Sequence, residues 1–114
     1  MPNIKDPWRV GFYQDHRGQS PVLDFINDLP AKDRTRIDLS IRLLKEFGTD
    51  LGIPHARPLR DRIWELRPGG IRLLYFAYIN HQFVILHGFR KTTNRTPDRE
   101  IDTAIRRMNE LLEE

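Results

Sequence analysis

The sequence contains no cysteine, which excludes disulfide bonds, thiolate metal sites and cysteine nucleophiles. It has no apolar run that approaches the ~20 residues needed to cross a membrane, and its first ten residues lack the apolar segment of a signal peptide. These absences predict a soluble, cytoplasmic protein that binds no membrane. The length of 114 residues predicts a single domain over residues 1–114.

Metal-binding and nucleotide-binding patterns are also missing. No two of the four histidines have the spacing of a metal site, and no glycine-rich loop could hold a phosphate. No arrangement of a nucleophile beside a base is visible either. We therefore expect no bound metal and no other cofactor.

Lysine is scarce, whereas arginine is abundant. Only four of the 19 cationic residues are lysine and fifteen are arginine, and the net charge is +3. Arginine presents a rigid, bidentate fork to phosphates and carboxylates. The excess is equally explained by a genome that favours arginine, so only the positions of these residues can distinguish the two explanations.

The hydrophobic periodicity divides the chain into helices and strands. Ser20 and Pro21 are typical of a helix start, Gly48 of a helix end, and Thr96 with Pro97 of the start of the last helix. Residues 48–58 are predicted to be a loop. The predicted elements are a strand at 8–13, helices at 20–29 and 30–48, strands at 62–67, 71–79 and 83–89, and a helix from residue 96.

This order, β-α-α-β-β-β-α, predicts the α+β class, with a small, mainly antiparallel sheet packed against helices. The last three strands form a meander. The first strand is expected to join it as an antiparallel or edge strand.

Charged residues interrupt the predicted sheet. Arg72 lies one residue into the central strand, where it either pairs with Glu65 across the "PGG" turn or contacts a phosphate. Arg60 and Arg62 at the entry of the preceding strand, and Arg67 within it, are either a solvated edge or RNA-binding residues.

The stretch "FRKTTNRTP" raises a similar question at the end of the last strand. Arg90 and Lys91 are either solvated or, together with Arg72 at the same end of the sheet, part of a corner that binds one phosphate. His87 in this strand is either a packed residue or a catalytic acid.

Arginines, a lysine, a glutamate and a histidine suit one reaction in particular. RNA supplies its own nucleophile, the 2′-hydroxyl. The protein then needs a base, an acid and cations that stabilise the charged phosphorane. Glu65 is a candidate base and His87 a candidate acid.

The motifs "LRDRIWELRPGGIRLLYF" and "VILHGFRKTTNRTPDREIDTA", with "FYQDHRGQSPVLDFINDL" before them, resemble the phage-derived, HigB-like branch of the RelE/ParE toxin superfamily. The resemblance covers nearly the whole chain and implies a RelE-like fold. Arg72 matches the arginine that begins the third strand of the RelE pattern, and Arg90 with Lys91 match the basic pair that ends the last strand. The RelE pattern also has lysines in the second strand, where this sequence has Ile63 and Glu65. Its tyrosine before the last helix has no counterpart here.

The resemblance implies the toxin of a type II toxin–antitoxin pair. Its partners would be a helix-turn-helix, HigA-like antitoxin and mRNA on the ribosome, and it would meet DNA only through the antitoxin complex. Three functions remain open: an mRNA endoribonuclease, a ParE-like gyrase poison without nuclease chemistry, and a non-catalytic relative that binds its antitoxin or RNA.

Overall fold

The structure, a computed structural model, describes residues 8–113, which contain three α-helices and five strands. The predicted α+β class is confirmed, and one strand is added to the predicted order. No helix among these residues is long and apolar enough to cross a membrane. The elements are β1 (Arg9–Phe12), α1 (Pro21–Asn27), α2 (Ala31–Phe47), β2 (Ala56–Pro58), β3 (Trp64–Leu66), β4 (Ile71–Ala77), β5 (Gln82–Arg90) and α3 (Asp98–Leu112).

The five strands form one mixed sheet in the order β1-β5-β4-β3-β2. Strands β2 to β5 pair antiparallel, as predicted for the meander. Strand β1 lies at the predicted edge, but it pairs with β5 in parallel, so the antiparallel alternative was wrong. A parallel neighbour requires a long crossover connection, and the intervening segment with α1 and α2 is long enough to provide one.

Strand β2 lies within the segment that was predicted to be a loop. Ala56 pairs with Leu66, and Pro58 pairs with Trp64. Pro54 before the strand and Pro58 at its end made this segment resemble a loop. A proline is nevertheless tolerated on an edge strand, because one side of that strand makes no ladder hydrogen bonds. The predicted strand at 62–67 shrinks to three residues, since positive φ angles at 61 and 62 form a turn.

Helices cover both faces of the sheet. Helices α1 and α2 pack on one face, here the α1–α2 face, where Ile37 and Leu44 join a cluster with Leu73. Helix α3 packs on the other, the α3 face, where Met108 joins a cluster with Phe76. Burial of these apolar side chains is the main stabilising contribution.

A β-bulge interrupts the pairing of β4 with β5. Leu74 lies opposite His87, but Tyr75 lies opposite Ile85, so Leu86 is the extra residue. Successive side chains of a strand normally alternate between faces. The bulge breaks this alternation: Leu86 belongs to the cluster on the α3 face, and His87 also contacts α3.

The helix starts agree with the sequence in one case and not in the other. Ser20 caps α1 as predicted, since its side chain accepts a hydrogen bond from the backbone N–H of Leu23 at 3.3 Å. Thr96 was predicted to cap α3, and this was wrong. Pro97 occupies the cap position of α3, and no side chain caps the helix. The Thr96 hydroxyl instead donates to the carboxylate of Glu65.

Candidate functional site

Glu65 is a fully buried carboxylate on the α3 face of the sheet. Its register partner in β4 is the core residue Leu74, so it faces inward. Burying an unpaired carboxylate would be very costly, and the neighbouring side chains remove this cost. Thr96 donates to Oε2, and Arg57 donates from Nε to Oε1 at 2.8 Å.

Two further arginines surround the same oxygen. Nε of Arg67 lies 3.7 Å from Oε1 of Glu65, and Nε of Arg72 lies 3.9 Å from it. We call Arg57, Arg67 and Arg72 the arginine cluster. Because three guanidinium groups surround one carboxylate, the cluster carries more positive charge than Glu65 can neutralise.

Arg72 is held by the backbone as well as by Glu65. Its Nη1 donates to the carbonyl oxygens of Gly69 and Ile71, both at 2.8 Å, and only 6% of the residue is exposed. Burial lowers the pKa of Arg72, and repulsion from Arg67 lowers it further. The ion pair with Glu65 that the sequence offered as one reading of Arg72 is therefore present, within a cluster that repels its own members.

The cluster is not saturated with acceptors. Nε of Arg67 is buried and has no hydrogen-bond acceptor within residues 8–113. The side chains of Arg57 and Arg67 remain 30% and 24% exposed. An anion at the surface of the cluster would meet these two guanidinium groups first.

A groove of about 550 Å³ continues from the cluster toward α3. Arg57 links the two, since its Nη2 also donates to the carbonyl of Asn94 at 3.1 Å. Arg60 lies on the groove wall, where it binds Asp102 at 3.0 Å and remains 44% exposed. The groove is lined by Arg57, Pro58, Leu59, Arg60, Asn94, Arg95, Thr96, Asp98 and Ile101.

The residues of the predicted phosphate-binding corner at the end of β5 lie on two different faces of the sheet. Arg90 pairs with Ile71 in the register, so it does lie at the same end of the sheet as Arg72. Its side chain, however, bonds to Asp33 of α2 at 3.0 Å, which is on the α1–α2 face. A single phosphate held jointly by Arg72 and Arg90 is therefore not the arrangement found, because the bulge in β5 changes the side on which Arg90 emerges.

Lys91 follows the last residue of β5 and stays near the groove. Its ammonium lies 3.3 Å from the side-chain oxygen of Asn94, a groove residue. Its backbone N–H donates to the carbonyl of Gly70 at 2.9 Å, which fixes the direction of the chain after β5. Lys91 thus adds a cation to the same side as the arginine cluster.

Arg62 lies apart from the other predicted RNA-binding residues. It donates to the carbonyl of Ala77 at 3.0 Å and lies over the ring of Phe76 at 5.4 Å. Ala77 is at the end of β4 that is opposite to Arg72. Of the three predicted RNA-binding arginines, the structure thus brings Arg67 into the cluster and Arg60 into the groove, but not Arg62.

His87 lies on the α3 face, two strands away from Glu65 with Leu74 between them. Its Nε2 is 2.7 Å from Oε1 of Glu100 in α3. Burial lowers the pKa of His87, although Glu100 acts to raise it. His87 is therefore both packed and partnered, with 17% of its side chain exposed.

Sequence reasoning missed several residues of this site. Arg57 was hidden in the predicted loop, and no sequence signal distinguishes it from the other arginines. Glu100 was not singled out, although its place in the first turn of α3 is visible in the sequence. No group of three or more metal-binding side chains that could hold an ion occurs in the described part of the chain.

Comparison with known proteins identifies the fold and the family. One solved chain, from the crystal structure of the toxin–antitoxin complex RelBE2 of Mycobacterium tuberculosis, superposes with a TM-score of 0.55. The match covers 75% of this chain and 100% of that chain at 21% identity, and it confirms the predicted RelE-like fold.

The sequence comparisons give one family match. No curated protein matches the sequence. Residues 24–109 match the family model of phage-derived Gp49-like proteins, which is most of the chain and confirms the phage-derived branch predicted from the motifs. The chain belongs to the family of phage-derived Gp49-like proteins.

Proposed function

We propose that this protein is the toxin of a type II toxin–antitoxin pair and that it cleaves mRNA on the translating ribosome without a metal ion. One observation carries the proposal: three arginines surround the single carboxylate of Glu65, and two of them are partly exposed. A site with this excess of positive charge favours a phosphate and disfavours a divalent cation. The RelE-like fold and the Gp49-like family agree with this function.

In the proposed reaction the 2′-hydroxyl of the RNA attacks the adjacent phosphate. The pentavalent phosphorane gains negative charge, and fixed cations stabilise it more than they stabilise the bound substrate. Arg57, Arg67 and Lys91 supply partly exposed cations for this purpose. Arg72 is buried beneath them and contributes its charge and its fixed position.

We propose for Glu65 a role other than that of the predicted base. Its carboxylate is fully buried and already accepts from Arg57 and Thr96, so it has no free access to a 2′-hydroxyl. We propose that Glu65 holds the arginine cluster together.

Arg90 is bound to Asp33 but remains 54% exposed at the strand end, where it can contact a neighbouring phosphate of the RNA.

The groove between β2 and α3 suits an RNA segment next to the cut. Arg60 and Arg95 on its walls provide contacts to the backbone, and Leu59 and Ile101 provide an apolar floor for a base. Backbone contacts of this kind make RNA binding sensitive to salt. The structural relative comes from a toxin–antitoxin complex, which supports an antitoxin as the partner that neutralises this toxin. The resemblance to the HigB-like branch implies that this antitoxin is a helix-turn-helix protein. DNA would be contacted only through that antitoxin.

Controlled expression in a bacterium tests the proposal. Induction without a partner should arrest growth, and primer extension on cellular mRNA should show new cuts within translated regions. Arg57→Ala should reduce both effects, whereas Arg42→Ala on the exposed surface of α2 should reduce neither. Growth arrest with intact mRNA would favour a gyrase poison, and normal growth with a folded protein would favour a non-catalytic relative.

A further inference from the structure

His87 and Glu100 form a pair that is separate from the arginine cluster. The two side chains come from β5 and α3 and meet at 2.7 Å, with 17% and 18% of their surfaces exposed. His87 also stacks on Phe89, with ring centroids 5.7 Å apart. The imidazole is therefore held from two sides and still reaches the surface.

The bulge at Leu86 is what turns His87 toward Glu100. In a regular strand, residue 87 would face away from α3, because its neighbour Leu86 is buried on the α3 face. The shift in register places both residues on that face. Bulges recur beside active sites, where they redirect a side chain.

The pairing fixes which nitrogen of His87 carries the proton. A carboxylate only accepts hydrogen bonds, so Nε2 donates to Glu100, and Nδ1 of the neutral ring is then an acceptor. Burial lowers the pKa of His87; Arg107 and Arg106 of α3 lower it further, and Glu100 opposes them. The residue opposite in β4 is the uncharged Leu74. The ring is therefore neutral near pH 7 and suited to accept a proton, whereas the sequence suggested an acid.

His87 is also in reach of the proposed RNA site. Glu65, Leu74 and His87 are register partners on three adjacent strands. Neighbouring strands lie ~4.8 Å apart, which separates His87 from the centre of the arginine cluster by ~10 Å along the sheet. Glu65 and Leu74 are fully buried, so an RNA segment at the protein surface would contact the exposed parts of Arg57 and His87 rather than the strands themselves.

We infer that Glu100 is a positioning residue that holds the imidazole of His87 so that Nδ1 accepts the proton of the RNA 2′-hydroxyl. The inference rests on the proposed function. As the 2′-oxygen forms its bond to phosphorus, its proton passes to Nδ1. The bond from phosphorus to the 5′-oxygen then breaks, the leaving oxygen takes a proton from water, and His87 returns its proton to solvent.

The test measures the single-turnover rate of mRNA cleavage on translating ribosomes as a function of pH. His87→Ala should slow cleavage ~100-fold or more, since a positioned base contributes that much. Glu100→Ala should slow it ~10-fold or more, because the ring loses its orientation. Glu100→Gln keeps the shape of the side chain but removes its charge. The pKa of His87 then falls, so the loss of activity on the acid side should move to lower pH.

Glu110→Gln is the matched control, because Glu110 is another α3 carboxylate that accepts a hydrogen bond from outside its helix, from the hydroxyl of Tyr13 just after β1. It should leave the rate and the pH profile unchanged. If the wild-type protein cleaves RNA but Glu100→Gln leaves the pH profile unchanged, the positioning role of Glu100 is overturned and the proposed function remains intact. A wild-type protein that cleaves no RNA overturns both. Nitrogen-15 NMR of the imidazole should find the proton on Nε2, and a proton on Nδ1 in the neutral ring would also overturn the inference.

Discussion

At the scale of single residues, Glu65 decides how the site is organised. One buried carboxylate accepts from a threonine and lies within 4 Å of three arginines. Such an arrangement is costly to break, because each partner is left with an uncompensated charge. The same feature leaves two arginines partly exposed at the surface, where they can meet a phosphate.

Glu65→Gln separates the two roles considered for this residue. If Glu65 holds the arginines, its neutralisation removes the compensating charge, and the free energy of unfolding should fall by ~3 kcal/mol or more. RNA binding should weaken along with cleavage, because the cations lose their fixed positions. Urea unfolding and RNA titration measure both effects. A variant of normal stability that binds RNA normally but does not cleave it would point to a catalytic base instead.

Arg57→Ala tests the contact that the sequence did not reveal. Removing one cation that contacts the phosphorane should raise the barrier by ~2–4 kcal/mol, by analogy with lost oxyanion donors. The dependence of RNA affinity on salt should also become less steep by ~0.7 in log–log slope for each lost phosphate contact. Arg42→Ala serves as the control, and an equal slope for both variants would contradict a phosphate contact at Arg57.

Arg90→Lys tests whether the contact at the end of β5 depends on a planar fork. Arg90 bonds to Asp33 through Nη2, which leaves its other donors available. A lysine keeps the charge but not the bidentate geometry, so it should recover little of the activity lost in Arg90→Ala. Cleavage rates of the two variants provide the measurement. Full activity of Arg90→Ala would mean that this residue is only a solvated strand end.

At the scale of elements, the position of β5 depends on how closely α1 approaches it. Gly88 faces α1, and a methyl group there would lie 2.8 Å from Cδ2 of Phe25 and 2.9 Å from Cδ2 of Leu73. Both distances are too short for carbon atoms in contact. The absence of a side chain at residue 88 therefore lets α1 pack directly on the backbone of β5. Gly88 lies between His87 and Phe89 in the chain.

Gly88→Ala should force these elements apart. Overpacking of this kind costs ~1–3 kcal/mol, and the displaced strand carries both His87 and Arg90. We expect a lower melting temperature together with a loss of cleavage larger than the loss of folded protein explains. Gly52→Ala is a suitable control, since nothing lies within 4 Å of a methyl group there. Equal effects of the two substitutions would contradict the close-packing argument.

The elements also explain what the sequence could and could not predict. Helices and the meander follow from local periodicity, so α1, α2 and the order of β3, β4 and β5 were predicted correctly. The bulge at Leu86 leaves no trace in an unbroken apolar run, and it changes the side on which Arg90 emerges. Strand β2 and the parallel pairing of β1 depend on contacts with distant segments, which local patterns do not encode. Arg57 was missed for the same reason.

At the scale of the whole molecule, the two faces of the sheet differ in the residues that they bury. The α1–α2 face buries the larger apolar cluster, whereas the α3 face combines an apolar cluster with Glu65, Arg72 and His87. Glu65 is connected to the groove through its hydrogen bonds with Arg57 and Thr96, which line the groove. This division lets the stabilising core and the charged site coexist in a chain of 114 residues.

The proposed antitoxin should bind this protein, inactivate it and restore growth. Co-expression of a helix-turn-helix protein encoded beside this chain should relieve the arrest, and the two proteins should co-purify. The complex should bind DNA, whereas the toxin alone should not bind DNA specifically. Gel-shift assays with the toxin, the antitoxin and the complex provide the comparison. Specific DNA binding by the toxin alone would contradict the partners proposed for it.

The chemistry of the cut ends tests the central claim most directly, namely that this site stabilises attack by the RNA's own 2′-hydroxyl. Cleaved mRNA can be isolated from translating ribosomes and the 3′ end of each upstream fragment identified by mass spectrometry. Internal attack leaves a 2′,3′-cyclic phosphate, or a 3′-phosphate after hydrolysis. We predict these ends with the wild-type protein and their loss with Arg57→Ala. Upstream fragments that end in a 3′-hydroxyl would contradict the mechanism, because they arise when water attacks and the 3′-oxygen leaves.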